Sequence, residues 1–413
     1  MGKNFYLLLL GRIINNIGDS LYAVAAMLLV YDLSNNTFYT GLAGFLTLGT
    51  QVFQFLFGPL VDRINHYWIL VVTQIIQFVL LGIIPLLYYF DSLGVAVVLV
   101  SMPIISLVQQ IVYPTQTAIV SKVVDEDNLI KANSYMNSAY QTLDIILTGV
   151  SGIIISFLGV ISIYWIDAGT FALTALIYSL LKIEKRNKNK NSNDRIMFKE
   201  TRSQYKGDLK EGYLSVKNSI IPKFLLASIV ANFMIGSLTA VLPEYSISRG
   251  GEHFYGLYLG SLSAGLLLGS LLANVFKKHP LGYFTIISFF LSGLAWIASG
   301  VISNNVISIV LFGCCYISIG ITNVIFIATL QKIIPQNFIG RVFSLIASLT
   351  GIAAPLGSLF GGSLSLILGS HMVFLSGGIG LVFVSVFWIS VPSLRKLPNS
   401  SKMKSKEYFN VTA

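Results

Sequence analysis

The chain has 413 residues, of which 54% are hydrophobic and only 11% charged. Soluble domains carry about 25% charged residues, so this composition excludes a water-soluble enzyme or nucleic-acid binder. The formal net charge of +10 is a question of where the basic residues stand along the chain.

Apolar runs recur from end to end, each long enough to cross about 30 Å of hydrocarbon as a helix. Twelve spans are predicted, over 5–31, 40–61, 67–89, 93–116, 133–157, 160–181, 224–247, 255–276, 281–302, 305–328, 342–367 and 372–391. The alternating short strands of a transmembrane barrel are absent. The first span is too long and polar for a cleaved signal peptide, so it is read as a retained helix.

That first span carries "GRIINNIGDSLY", in which Arg12, Asn15, Asn16, Asp19 and Tyr22 recur three and four residues apart and so share one helix face. Asp19 lies about 20 Å from the start of the span and Arg12 about 10 Å lower. An ionised group at the centre of a membrane helix costs about 2.5–3.5 kcal/mol even on lenient insertion scales, so such a stripe is expected to face a cavity. Arg12 has two readings: it snorkels to the interface or enters the cavity as a counter-charge.

The fourth span contributes "QQIVYPTQT", with Gln109, Tyr113, Gln116 and Thr117. The fifth repeats the stripe with Asn133, Asn137, Tyr140 or Gln141, Asp144, Thr148 and Ser151. Asp167 in the sixth span is read either as a bond to a neighbouring helix or as part of transport. The connection 182–223 is polar and basic; a solvated linker and partial helical order against the membrane surface are both open. The second half offers Asn232, Phe233, Tyr316, Asn323 and Phe326 as cavity candidates, with Glu244 near the outer end of the seventh span. Cys314 and Cys315 are helix neighbours that point apart, so a mutual disulfide is not expected. The four histidines show no metal-ligand spacing, and no metal site is expected.

With the N-terminus inside, every Lys and Arg falls on the cytoplasmic side except Arg249, which is outside, and Arg12, within the first span. This is the positive-inside pattern. It predicts a multi-pass protein with both termini cytoplasmic, and it makes the net charge a topology signal. The predicted layout is a six-helix bundle over 1–181, a cytoplasmic basic linker over 182–223, a second six-helix bundle over 224–391 and a cytoplasmic tail over 392–413.

The halves resemble each other at an offset of 210 residues. Lys122 meets Lys332, Lys131 meets Arg341, Ser134 meets Ser344, Gly152 meets Gly362 and Gly159 meets Gly369. After the second span, "GPLVDRINHYWIL" resembles the loop signature G-x-L-x-D-R-x-G-R-[KR] of the major facilitator superfamily, with Gly58, Leu60, Asp62 and Arg63 matching. The signature's Gly and two cations are replaced by Asn65, His66 and Tyr67. Gly58 permits close helix approach and Asp62 can meet helix N-termini across the interface, which makes Gly58, Asp62 and Arg63, with Gly340 and Arg341 in the other half, a conformational latch.

"YWIDAGTFALTALIYSLL", "LKEGYLSV" and "GRVFSLIASLTGIAAPLGSLFGG" are similar to the macrolide-efflux branch of that superfamily, which includes siderophore exporters. The fifth span departs from that branch: Leu147–Thr148 stand where a proline pair is usual. The resemblance implies an all-α integral membrane protein of twelve helices in two pseudo-symmetric six-helix bundles, with a cavity between them near mid-membrane. It also implies proton-coupled export of bulky amphiphilic molecules from bacteria through the cytoplasmic membrane.

Asp19 and Asp144 are the proton-coupling candidates, with Arg12 and Asp167 beside them. Asn15, Asn16, Tyr22, Gln109, Tyr113, Asn137, Gln141 and the second-half residues are the cavity set. An acidic wall facing an aromatic one suits an amphiphilic, cationic ligand. No cofactor is expected beyond the proton gradient; the partners are a small-molecule cargo and the lipid bilayer, the protein a monomer. Export of an endogenous metallophore is the alternative, and a non-transporting receptor of the same fold the remote one.

Overall fold

The computed structural model describes residues 2–53, 65–125, 128–181, 219–335 and 339–403. The first half contains α1 (Lys3–Ser34), α2 (Thr37–Gly49) with a 3-10 turn at Thr50–Phe53, α3 (His66–Tyr89), α4 (Val95–Val123), α5 (Leu129–Leu158) and α6 (Val160–Ser179). The second contains α7 (Ile221–Ser248), α8 (His253–Phe276), α9 (Leu281–Val301), α10 (Asn305–Ile333), α11 (Ile339–Gly351), α12 (Ala353–Leu368), α13 (Ser370–Ser390) and the short α14 (Pro392–Arg395).

Among the described residues there is no strand, and 11 spans are long and apolar enough to cross a membrane. One of these spans crosses the α11–α12 junction. The predicted second span begins as α2 and its 3-10 turn, and the rest of it lies outside the described residues. So do Gly58, Asp62 and Arg63 of the latch, and residues 182–218 of the linker.

Local chemistry sets the helix ends. Asn36, Asn65 and Asn304 cap α2, α3 and α10, their side-chain oxygens accepting from the backbone N–H groups of Phe38, Tyr67 and Ile307 at 2.9, 3.0 and 3.1 Å. Gly159 and Gly369 end α5 and α12 with φ of 77° and 81°, where a Cβ would be strained. Each donates its N–H four residues back, to the carbonyls of Ile155 and Ser365. These two glycines are the pair matched by the 210-residue offset, so the internal repeat of the sequence is also a repeat of backbone geometry. α5 runs unbroken through Leu147–Thr148.

In the first half α1 packs against α5 and α6, and α3 against α4 and α6. In the second, α7 packs against α12 and α13, α8 against α10, and α9 against α10 and α13. The halves meet where α2 touches α12 and α7, and where α5 touches α8. Glycine makes these crossings possible, since small residues let helices approach closely in lipid. A Cβ at Gly149 would stand 3.4 Å from the Gly260 Cα, and one at Gly41 only 2.6 Å from the Ser358 carbonyl oxygen. Gly152 of α5 and Gly256 of α8 abut backbone to backbone, as do Gly41 and Gly362. Thr40 adds a bond to the Ala240 carbonyl at 2.6 Å. These joining contacts lie towards the face opposite the one where α1 begins and α13 ends.

Residues 392–403, expected as part of a tail, form a strap over the ends of α9 and α10. Leu394, Leu397 and Met403 are buried. Leu281 and Gly282 donate their N–H groups to the Pro398 and Leu397 carbonyls at 3.1 and 3.2 Å.

Arg249, in the loop after α7, ties three elements. Its guanidinium donates to the Ile302 and Gly300 carbonyls and to the Tyr245 hydroxyl, and its own carbonyl accepts from Asn305 at 2.8 Å. A bond to a charged donor contributes about 1.5–3 kcal/mol. Arg249→Ala is therefore expected to lower the thermal unfolding midpoint in detergent by several degrees; an unchanged midpoint would show that this knot contributes nothing.

Candidate functional site

A cavity of about 670 Å³ opens among α1, α2, α4 and α5. The first-span stripe lines it: Arg12, Asn15, Asn16, Asp19 and Tyr22 all face inward, as their helical spacing predicts. Gln109 and Tyr113 come from α4, and Tyr140 and Asp144 from α5.

Arg12 enters the cavity wall and is only 7% exposed, which decides between its two readings against snorkelling. Its Nη1 donates to the Gln116 side-chain oxygen, and Gln116 is oriented by donating its own amide to the Tyr178 hydroxyl at 2.9 Å. The guanidinium carbon lies 5.0 Å from the Tyr113 ring centre and 5.1 Å from that of Tyr140, within the range of a cation–π contact. Among the described residues Arg12 makes no ion pair, and its Nε has no hydrogen-bond partner.

Asp19 accepts from the Gln109 amide at 2.6 Å, and Asp144 accepts from the Ser20 hydroxyl at 3.0 Å. Both acids are held by neutral donors, on two helices that pack together. Asn15 donates to Gln74 at 2.6 Å and Asn16 to the Tyr140 carbonyl at 2.9 Å, which pins the stripe to α3 and α5.

Asp167 stands apart. It is fully buried on α6, bonded by the Thr170 hydroxyl at 3.2 Å, and does not line the cavity. Its carboxyl occupies the space that a side chain at Gly18 would need. Gly18 and Asp167 thus fit α1 onto α6. Asp167→Asn, which keeps that shape, is expected to retain transport, whereas Gly18→Leu is expected to prevent folding; size-exclusion profiles and transport assays of the two variants check this.

The second-half candidates are not brought to the cavity; only Thr239 of α7 reaches it among the described residues. Tyr316 is buried in a cluster with Trp296 and Phe312, and Phe326 stacks on Trp388 at 5.5 Å. Phe233 packs against Phe360, Asn232 bonds its own helix at Ser228, and Asn323 is exposed on α10. Glu244 lies by Ser370, near the face opposite the termini. The aromatic residues read as a cavity wall therefore serve helix packing. Gly340 falls in the first turn of α11; the side chains of Arg341, Asn137 and Gln141 lie outside the described residues.

Sequence reasoning missed Gln77 of α3, which lines the cavity fully buried with neither amide atom partnered. Its signal was available: Gln74 and Gln77, one turn apart, break an otherwise apolar span. Gln51, Ser106 and Gln110 were missed as well.

The model of the Major Facilitator Superfamily matches residues 8–357. The chain belongs to the major facilitator superfamily. Within this superfamily it is 24% identical to the uncharacterized MFS-type transporter YfmI of Bacillus subtilis, over 97% of this chain and 99% of that one. It is 22% identical to macrolide efflux protein A of Streptococcus pyogenes, over 95% and 97%. It is 27% identical to the multidrug efflux pump Tap of Mycolicibacterium fortuitum, over 66% and 65%.

Two solved structures share the facilitator fold. A bacterial homologue of the human lysosomal transporter Spinster, in an inward-facing, occupied conformation, matches with a TM-score of 0.70 at 13% identity over 98% of both chains. The nucleoside transporter NupG matches with a TM-score of 0.70 at 12% identity, over 98% of this chain and 100% of that one. The protein is thus a multi-pass membrane transporter of the facilitator fold, and its family and structural neighbours are transporters rather than enzymes.

Proposed function

We propose that the protein is a proton-coupled secondary exporter of amphiphilic, amine-bearing small molecules of macrolide type. It works as a monomer in a bacterial cytoplasmic membrane, with both termini inside. The observation that carries this reading is the meeting of Asp19 and Asp144 in one cavity, each held by a neutral donor. The relatives named as macrolide and multidrug efflux proteins support the cargo class.

By the positive-inside rule, the glycine crossings of α2 with α12 and of α5 with α8 close the outer side. The cavity is then reached from the cytoplasm. A cationic cargo enters against the ionised carboxylates. Rocking of the halves exposes the same groups outside, where protons displace the cargo and return with the empty carrier. The empty carrier returns with both carboxyls protonated, so their charge is not carried through the closed state. Asp167, away from the cavity, serves helix packing in this scheme.

Export of an endogenous metallophore is the second reading; Arg12 on the cavity wall favours it, because such chelators carry carboxylates. Everted vesicles loaded by an imposed pH gradient test the assignment. Gradient-dependent accumulation of erythromycin is expected, and accumulation only of a carboxylate chelator would transfer the assignment to metallophore export.

A further inference from the structure

We propose that the cavity favours a zwitterion, with an anionic group that pairs with Arg12 and a cationic group that pairs with Asp19 and Asp144, and holds an amine-only cargo such as erythromycin more weakly. This refines the export reading and rests on it.

The anion is called for by Arg12. Its guanidinium is buried, flanked by two tyrosine rings and a neutral amide, with Nε unpartnered and no carboxylate paired to it among the described residues. A buried charge without a directly paired counter-charge is destabilising. Gln116 is already oriented by Tyr178 so that its oxygen, and not its amide, faces the guanidinium. The site is therefore assembled to hold a cation in place while leaving the anionic position to a ligand.

The cation is called for by the two acids, whose partners are a neutral amide and a neutral hydroxyl. Asp19 is bonded by Gln109 and makes no ion pair with Arg12 among the described residues. α1 is continuous from Lys3 to Ser34, so the seven-residue spacing of Arg12 and Asp19 fixes their backbone positions about 10 Å apart along the helix. One cavity thus presents a positive and a negative group two turns apart on the same face of α1. Gln77, behind the same wall, is fully buried with neither amide atom partnered.

Three fluorescent probes of related shape and different charge separate the possibilities. Rhodamine 110 carries a carboxylate and a cationic ring system, rhodamine 123 is its methyl ester and keeps only the cation, and fluorescein keeps only anionic charge. Binding to the full-length protein in lipid nanodiscs is read by fluorescence polarisation. Rhodamine 110 is expected to bind about tenfold or more tightly than either of the others, the scale of one charge-assisted contact. Arg12→Gln is expected to bring rhodamine 110 down to the level of its ester, and Arg12→Lys to keep part of the preference.

Equal affinity for acid and ester on the wild type, survival of the preference in a folded Arg12→Gln variant, or no binding of any probe would overturn the proposal. If Arg12→Gln does not fold, the wild-type comparison and Arg12→Lys decide. Transport distinguishes this proposal from its parent. An Arg12-dependent preference without pH-driven pumping would sink the export reading alone. Pumping of acid and ester alike would sink the zwitterion proposal alone.

Discussion

Asp19→Asn and Asp144→Asn are each expected to lower pH-driven export of erythromycin from proteoliposomes about tenfold, and the double substitution to abolish it. Asparagine keeps the size of the side chain and can still accept from Gln109 or Ser20, so what it removes is the charge and the site for a proton. A charge-assisted contact contributes about 1.5–3 kcal/mol, and about 1.4 kcal/mol is a factor of ten. The single variants retain one carboxylate and so retain part of the flux. The double variant has no described carboxylate left on the cavity wall and no means of exchanging cargo for protons. Full export by the double variant would remove the carboxylate mechanism.

The second large effect is expected at the crossing of α5 and α8. Gly152 and Gly256 abut backbone to backbone, so Gly152→Val forces the two helices apart. Overpacking of this kind costs about 1–3 kcal/mol. It bears on the conformation in which the crossing is closed, so the balance of states shifts by about 5- to 150-fold towards the one that is open there. The check is a cysteine at Thr239, with Cys314 and Cys315 replaced by serine, labelled from outside by a membrane-impermeant thiol reagent. Gly152→Val is expected to raise labelling and depress export together. Unchanged labelling with unchanged export would show that the crossing is not a gate.

Much of the fold was legible because lipid simplifies the code. A span must be apolar for about 20 residues, and that length cannot hide in a sequence. The offset of 210 residues was legible too, and the structure gives it meaning. Gly159 and Gly369 both need a positive φ, and Gly152 and Gly362 both sit at crossings between the halves. The first-span stripe was legible because Arg12, Asn15, Asn16, Asp19 and Tyr22 are too polar to face hydrocarbon and share one helix face, and all five line the cavity.

The second half was harder for the same reason reversed. Tyr316 and Phe326 are at home in a cavity wall or in helix packing, and helical spacing alone cannot choose between them. The structure spends them on Trp296, Phe312 and Trp388. Asp167 was ambiguous because its partner is the absence of a side chain, at Gly18. Arg12 was ambiguous because a long side chain can reach either the interface or the cavity, and only the positions of Gln116, Tyr113 and Tyr140 decide.

The most direct test of the account is proton movement itself. Proteoliposomes containing the protein and a lumenal pH-sensitive dye, with no gradient imposed, are given erythromycin on one side. A substrate-dependent proton flux opposite in direction to the drug is expected, absent from the Asp19→Asn, Asp144→Asn double variant. Drug transport at an undiminished rate with no accompanying proton movement would contradict proton-coupled exchange through these two carboxylates.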